Sequence, residues 1–380
     1  MTLLSRKRVL LAKEEGTYGS DASPSTTDAL LLRNLTFNPL QADIVSRDLI
    51  RAYLGNSEQL VATKYCTVEF EIELAGSGTI GVAPAYGTVL KSCGFSETIA
   101  TNAVTSMTRS GSTATCNTTT AHNLAVGDKV KVSGATESEY NGNHTVLTVP
   151  DSDTFTFAVS GTPASPATGS PVVGMSTTYV PISSSIPSCS LYFYVDGIRH
   201  KVFGARGNVE FTVNARQIPV MKFSFTGLYN APSDVSLPSA DYSAFQLPKV
   251  ANNTNTTSFS LFSYSAILES FNINMTNDIS YRHLIGSESV LLLDRKPAGT
   301  FLIEAPLIAS KDFFAAAIAG DTGAMTCTHG TVGGNKVVLS APAVSLQNPT
   351  YQDNNGVHML SIPAVYVPSS GNDEVSIVVK

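Results

Sequence analysis

Charge is scarce in this sequence. Asp, Glu, Lys and Arg make up only 14% of its 380 residues, against about a quarter in an ordinary soluble domain, and no basic run occurs. Holding a nucleic-acid backbone takes clustered Lys and Arg, so that role is excluded. Tryptophan is absent, and the five cysteines (Cys66, Cys93, Cys116, Cys189, Cys327) are scattered and odd in number. Without CxxC or Cys/His spacing they suggest neither zinc nor a redox motif, and they read as reduced, mostly buried thiols of a protein made in a cytoplasm. Long apolar runs are missing too. After the basic start Arg6-Lys7-Arg8 only Val9 to Ala12 are apolar before Lys13, too short for a signal peptide, and no run reaches a membrane-spanning length. The N-x-Thr triplets at Asn34, Asn117, Asn143, Asn252, Asn255 and Asn274 then read as chance products of Asn- and Thr-rich loops.

Catalytic signatures are equally absent. None of the six histidines sits in HExxH or HxH spacing. There is no GxSxG elbow, no Walker loop and no GxGxxG following a strand. Gly330-Thr331-Val332-Gly333-Gly334 lacks the Lys-Ser/Thr ending and precedes a strand, which makes it a hairpin turn. Asp151 and Asp153 read as turn residues, and carboxylates paired only in space are not legible in a sequence. The expectation is a protein that is not an enzyme and carries no metal and no cofactor.

Ser, Thr, Asn and Gly fill the space left by charge, a composition of strands and turns. The sequence also repeats. Asp43-Ile44-Val45-Ser46-Arg47 is answered 235 positions later by Asp278-Ile279-Ser280-Tyr281-Arg282, each after a Phe-Asn pair (Phe37-Asn38, Phe271-Asn272). Lys201-Val202-Phe203 matches Lys336-Val337-Val338, and Val209-Glu210-Phe211 matches Val344-Ser345-Leu346, both at a spacing of 135. The mismatch implies an insertion in the first copy. Residues 1–30 are read as an extended N-terminal arm, 31–100 and 176–232 as the first unit, 101–175 as an inserted small β-domain, and 233–380 as the second unit. Each unit should carry one short helix, at 83–94 and 311–319. Within the insert, Asn141-Gly142 is a hairpin signal.

Two features carry the functional reading. Residues 41–64 gather Asp43, Arg47, Asp48, Arg51, Glu58 and Lys64, and the matching segment holds Asp278, Arg282, His283, Glu288, Asp294, Arg295 and Lys296. Opposite charges at matched places suit polar contacts between subunits. Thr67 to Leu74 alternates strictly, setting Val68, Phe70, Ile72 and Leu74 on one face and Glu69, Glu71 and Glu73 on the other. That acidic row is either a solvated face or a functional lining, and both stay open.

Lys13-Glu14-Glu15-Gly16-Thr17-Tyr18-Gly19 followed by Ala29 to Phe37, with the charged segment and the strand-plus-short-helix order, resembles the major tail tube proteins of long-tailed bacteriophages. The resemblance covers most of residues 8–100 and, through the repeat, 180–366. It implies a mainly β fold of two tandem tail-tube-like sandwich or barrel-forming units, whose sheets join edge to edge across subunits into a closed barrel. Single-unit members form six-membered rings, so a duplicated chain implies a homotrimer with pseudo-six-fold symmetry. The implied setting is the virion tail, assembled in the bacterial cytoplasm. The implied partners are the chain itself, tail terminator, tape-measure and distal tail proteins, with DNA passing only transiently and no membrane. Asp43, Arg47, Asp48, Arg51, Glu58, Asp278, Arg282, His283 and Glu288 would then reach the adjacent ring, with Glu69, Glu71 and Glu73 as candidates for the lumen. The alternative is an adhesin or carbohydrate-binding surface protein acting through the insert, with Tyr140 as its available aromatic platform.

Overall fold

A computed structural model describes residues 3–380. Nearly every regular element is a strand. Among the described residues there are two α-helices, α1 (Gly87–Ser92) and α2 (Phe313–Ala319), both inside the expected windows. Asp312 caps α2 by accepting the Ala315 N–H at 2.8 Å, and Gly320, at φ 70°, supplies the left-handed stop that a side chain would strain.

The same strand order occurs twice, antiparallel throughout. In the first half Arg8–Glu14, Cys189–Val195, Ile198–Asn214, Val220–Tyr229, Gln59–Glu73 and Arg33–Ser46 are successive neighbours. In the second, Thr256–Leu261, Thr322–His329, Val337–Leu346 with Thr350–Asn354, Val357–Tyr366, Ala298–Glu304 and Leu268–Asn274 follow in the same sequence. Matching apolar rows run across them: Phe37, Val68 and Phe225 in one half, Phe271, Phe301 and Ile362 in the other.

The sequence match of Val209 with Val344 does not survive in space. Val209 lies opposite Phe223, and the residue opposite the matching Leu360 is Tyr351. The long strand Ile198–Asn214 is replaced in the second half by two shorter pieces broken at Gln347–Pro349, and the offset is the same on both sides of that break, since Val344 itself lies opposite Tyr366 as Val202 lies opposite Tyr229.

The two halves are not separate bodies. The far end of Ile198–Asn214 pairs with Leu268–Asn274, Phe211 opposite Ile273, and one apolar cluster runs through both, from Leu10 to Val379.

The expected arm is corrected in part. Its first two residues lie outside the described residues, but Arg8–Glu14 is an interior strand paired along its length with Cys189–Val195. Leu10 and Ala12 enter the main cluster while Val9 and Leu11 pack on the opposite side with Tyr192 and Tyr194. A strand buried on both faces shows a short apolar run and no alternation. The polar stretch after it is tied down by Asp21, which accepts from Tyr192 and, at 2.7 Å, from the Lys201 ammonium. Burial raises the Asp21 carboxyl, but Lys201, Tyr192 and the Ser23 N–H outweigh it and hold the pKa at about 2 instead of 3.8. A depressed carboxylate stabilises the fold above its unfolded pKa and loses that effect as pH falls. Asp21→Asn should therefore lower the melting temperature at neutral pH, and the gap to the wild type should close as pH falls from about 4 to about 2.

A second apolar cluster, separate from the main one, is centred on Tyr140, Phe155, Phe157, Val130 and Val132 and draws most of its members from Met107 to Val173, a stretch termed the module. Its entry and exit strands, Phe95–Ser110 and Gly169–Pro181, pair with each other. The Asn141-Gly142 hairpin signal is half right. Lys129–Ala135 and Gly142–Thr148 do pair, but through a longer connection with a 3-10 turn at Ser138–Tyr140. Asn141 contributes its side chain, which bonds both the N–H and the C=O of Ala135. A true two-residue turn sits instead at Asp196-Gly197, with φ 32° and 109°. The module is held in place on two sides. Ile80 bonds the backbone of Lys129 and Lys131, and the Gly333 N–H in the glycine-rich turn donates to Asp128.

Candidate assembly surfaces and lining face

The charged segments form two long hairpins. In the first, Arg33–Ser46 pairs with Gln59–Glu73. Its charges are satisfied locally: Arg47 meets Glu58 at 3.1 Å, Asp43 accepts from Thr63, Asp48 from Ser46, and Arg51 lies over the Tyr53 ring at 5.8 Å. The hairpin is conspicuous for exposed apolar side chains, which the reading of its charges missed. Ile44, Val45, Leu49, Leu60 and Val61 face solvent, and Ile50 and Leu54 are 103% and 102% exposed. The adjacent apolar pairs at 44–45, 49–50, 53–54 and 60–61 were the available signal, since paired apolar residues at a loop have no core to fill.

The second hairpin, Asn277–Leu284 with Ser287–Arg295, is in the opposite situation. It lies on the first half of the same chain. Asn277 donates to Cys93 O and Gly207 O at 2.7 and 3.0 Å. Val290, 0% exposed, receives an Arg206 bond on its carbonyl and donates its N–H to the Tyr18 hydroxyl. Tyr281 stacks on Tyr65 at 4.8 Å between centroids and donates to Glu288 at 2.7 Å. Arg282, His283 and Asp278 remain exposed. The charges of the two hairpins are thus not brought together within one chain. At the hairpin's end Arg295 makes a buried ion pair with Glu374 at 3.0 Å, with side chains 8% and 10% exposed.

The strand 67–74 alternates as read. Val68, Phe70, Ile72 and Leu74 are buried, and the opposite face belongs to a polar surface that crosses both halves. Glu69 stands opposite Ser224, Ser224 opposite Asn208, and Glu210 opposite Asn274, which faces across to the second half. Asn208 and Asn274 bond each other at 2.8 Å, and Asn272 donates to Glu210. Glu71 accepts from Asn34 and Glu73 meets Arg33 at 3.5 Å, leaving Glu69 the freest of the three. Lys222, opposite Glu71 and Glu210, adds a second cation to this stretch of the face beside Arg33, which also lies opposite Glu71.

Tyr140 is not a platform. Its ring is 0% exposed in the module core and its hydroxyl donates to Ala164 O at 2.9 Å, because an aromatic beside a turn is the natural plug of a small β core. Among the described residues no group of three or more His, Cys, Asp or Glu side chains is placed to share a metal ion, all five cysteines are free and buried, and no helix is long and apolar enough to cross a membrane. Burial raises the thiols of Cys66, Cys116, Cys189 and Cys327 to about 12.

The family of phage tail tube proteins matches the chain over residues 5–365. No curated protein matches it.

Proposed function

This chain belongs to the phage tail tube protein family and is a structural subunit of the virion tail, and from that premise we propose that three copies close into a ring with pseudo-six-fold symmetry. The observation that carries this reading is the junction between the halves. Leu268–Asn274 adds to the sheet of the first half at Ile198–Asn214. Its counterpart Arg33–Ser46 has a free edge beyond Gln59–Glu73, and so does Thr350–Asn354 beyond Val357–Tyr366. A free edge at each end of one chain invites pairing with another copy, and a head-to-tail contact gives a ring when the rotation closes.

Our division of the chain is an N-terminal segment to residue 30, a first tube unit at 31–100 and 176–232, the inserted domain at 101–175, and a second unit from 233. Stacked rings form the conduit through which the genome leaves, alongside terminator, tape-measure and distal tail proteins. Glu69, Glu71 and Glu73 line part of the lumen, where an acidic, hydrogen-bonded wall repels phosphate and lets DNA pass without sticking. The role is structural and non-enzymatic. Sedimentation of assembled particles after gentle dissociation tests the stoichiometry: the reading requires a smallest ring species of three chains, and a smallest ring species of six chains would overturn it.

The hairpin ends, with Asp43, Arg47, Asp48, Arg51 and Glu58 on one and Asp278, Arg282, His283 and Glu288 on the other, reach the adjacent ring. Arg47→Glu, which sets a carboxylate beside Glu58, combined with Arg282→Glu should weaken stacking and leave each subunit folded. Electron micrographs would show single rings where the wild type gives tubes; tubes of normal length would remove the assignment.

A further inference from the structure

The two hairpins are matched in detail. Both break register at the same place, between Asp43 and Ile44 in the first and between Asp278 and Ile279 in the second. Beyond the break Ile44 lies opposite Val61, and Ile279 opposite Leu292. Val61 therefore holds the position of Leu292. Their surroundings differ. Leu292 covers Gly94 just beyond α1, so closely that a Cβ there would sit 3.1 Å from its methyl carbon, whereas Ile44 and Val61 are exposed.

The surface that receives the second hairpin also has a counterpart. Gly94, with φ 87°, and Gly320, with φ 70°, each end a helix in the left-handed conformation. Asn208, which accepts from the Asn277 N–H at 3.0 Å, precedes Val209, whose counterpart is Tyr351. The matching surface thus lies between the end of α2 and residues 346–351. An open groove of about 520 Å³ occupies that place, lined on one side by Phe314, Ala317 and Ile318 of α2 and on the other by residues 346–349, apolar at Leu346 and Pro349 and polar at Gln347 and Asn348. Ile318 on its rim is 88% exposed, and Tyr351 beside it is also exposed.

We propose that the first hairpin docks in this groove of a second copy of the chain, through Ile44 and Val61, as the second hairpin docks beside α1 within one chain. The proposal rests on the self-assembly read above and names its donor and acceptor. One chain fills one of its two hairpin seats and leaves the other seat and the other hairpin without a partner. Ile44 and Val61 meet the apolar wall of the groove at Phe314, Ala317 and Ile318, with Gln347 and Asn348 at its polar side, so the contact has a desolvated centre and a polar margin and holds neighbours side by side within a ring. The charged end beyond Ser46 stays outside the groove, free for the ring above or below.

Full-length chains carrying Val61→Cys with Ile318→Cys, and each substitution alone, should be assembled and treated with a short thiol-specific cross-linker. The native thiols are buried and do not compete. The double variant should give a denaturant-resistant ladder of linked chains, and the single variants none. In parallel, Ile44→Asp with Val61→Asp should leave a folded chain, judged by circular dichroism, that no longer forms rings. Rings that assemble without the cross-link, or an Asp variant that assembles as the wild type does, overturn the docking and leave the tube reading standing. A wild-type chain that stays monomeric under every condition overturns both.

Discussion

Phe301→Ala is expected to cost about 3–5 kcal/mol of stability and to weaken both halves of the sheet together. Phe301 is 0% exposed and packs among Phe259, Phe271 and Tyr366 at centroid distances of 6.0–6.2 Å. Truncation removes a whole ring from a site whose neighbours belong to three strands, and the backbone ladder around it limits collapse of the cavity. The cluster it belongs to includes Phe70, Phe223 and Phe225 of the first half, so the loss should appear in a single transition. Denaturant unfolding followed by circular dichroism and by tyrosine fluorescence checks this. Coincident shifts of both signals are expected, and two transitions with only one displaced would show that the halves fold apart. Phe157→Ala, in the separate cluster of the module, provides the contrast, because it should loosen residues 101–175 first.

Glu374→Ala is expected to cost a comparable amount, about 3–5 kcal/mol, for an electrostatic reason. The Arg295 guanidinium donates to both Glu374 oxygens at 3.0 and 3.3 Å, to Asn372 at 3.2 Å and to Ile182 O at 2.9 Å. Removing the carboxylate leaves a buried cation with two neutral acceptors, and such a charge is costly to keep from water. The same contacts fix the base of the second hairpin against the first half and the C-terminal segment. Replacing both partners, as Arg295→Met with Glu374→Leu, should recover much of the loss, since a well-packed apolar pair can stand in for a buried ion pair. A double-mutant cycle on denaturation midpoints reads the difference. A single variant within about 0.5 kcal/mol of the wild type, the range of ordinary surface substitutions, would show that Arg295 reaches water once Glu374 is gone.

Much of this architecture is written in the sequence because alternation translates directly into strand faces. Val68, Phe70, Ile72 and Leu74 face inward and their glutamates outward, and the short helices stand inside their expected windows, the first between Pro84 and Gly94 and the second in the Ala-rich stretch 311–319. The failures share a physical cause. Val9 to Ala12 are buried on both sides, so the strand carried no period and read as part of an arm. The chemistry of Tyr140 suits an exposed platform, while its position beside a turn in a small β core decides its burial. Val209 and Val344 match as letters, yet cross-strand pairing gives Val344 the place of Val202 and Tyr351 the place of Val209, and pairing partners are not written in the strand itself. At the hairpins charge drew attention and apolarity decided the surface. Arg47 and Glu58 pair with each other, while Ile50 and Leu54, on the same loop, point into solvent. Whether a hairpin is docked or free depends on contacts far apart in the chain, such as Asn277 with Cys93, and no local pattern encodes them.

In the proposed tube one chain supplies two places in a ring. Electron microscopy of assembled particles with averaging down the tube axis tests it most directly. The expected result is a closed wall of six similar lobes around an open bore, with three-fold symmetry and module density on every second lobe. Six modules per ring, or filaments with no closed bore, would contradict it.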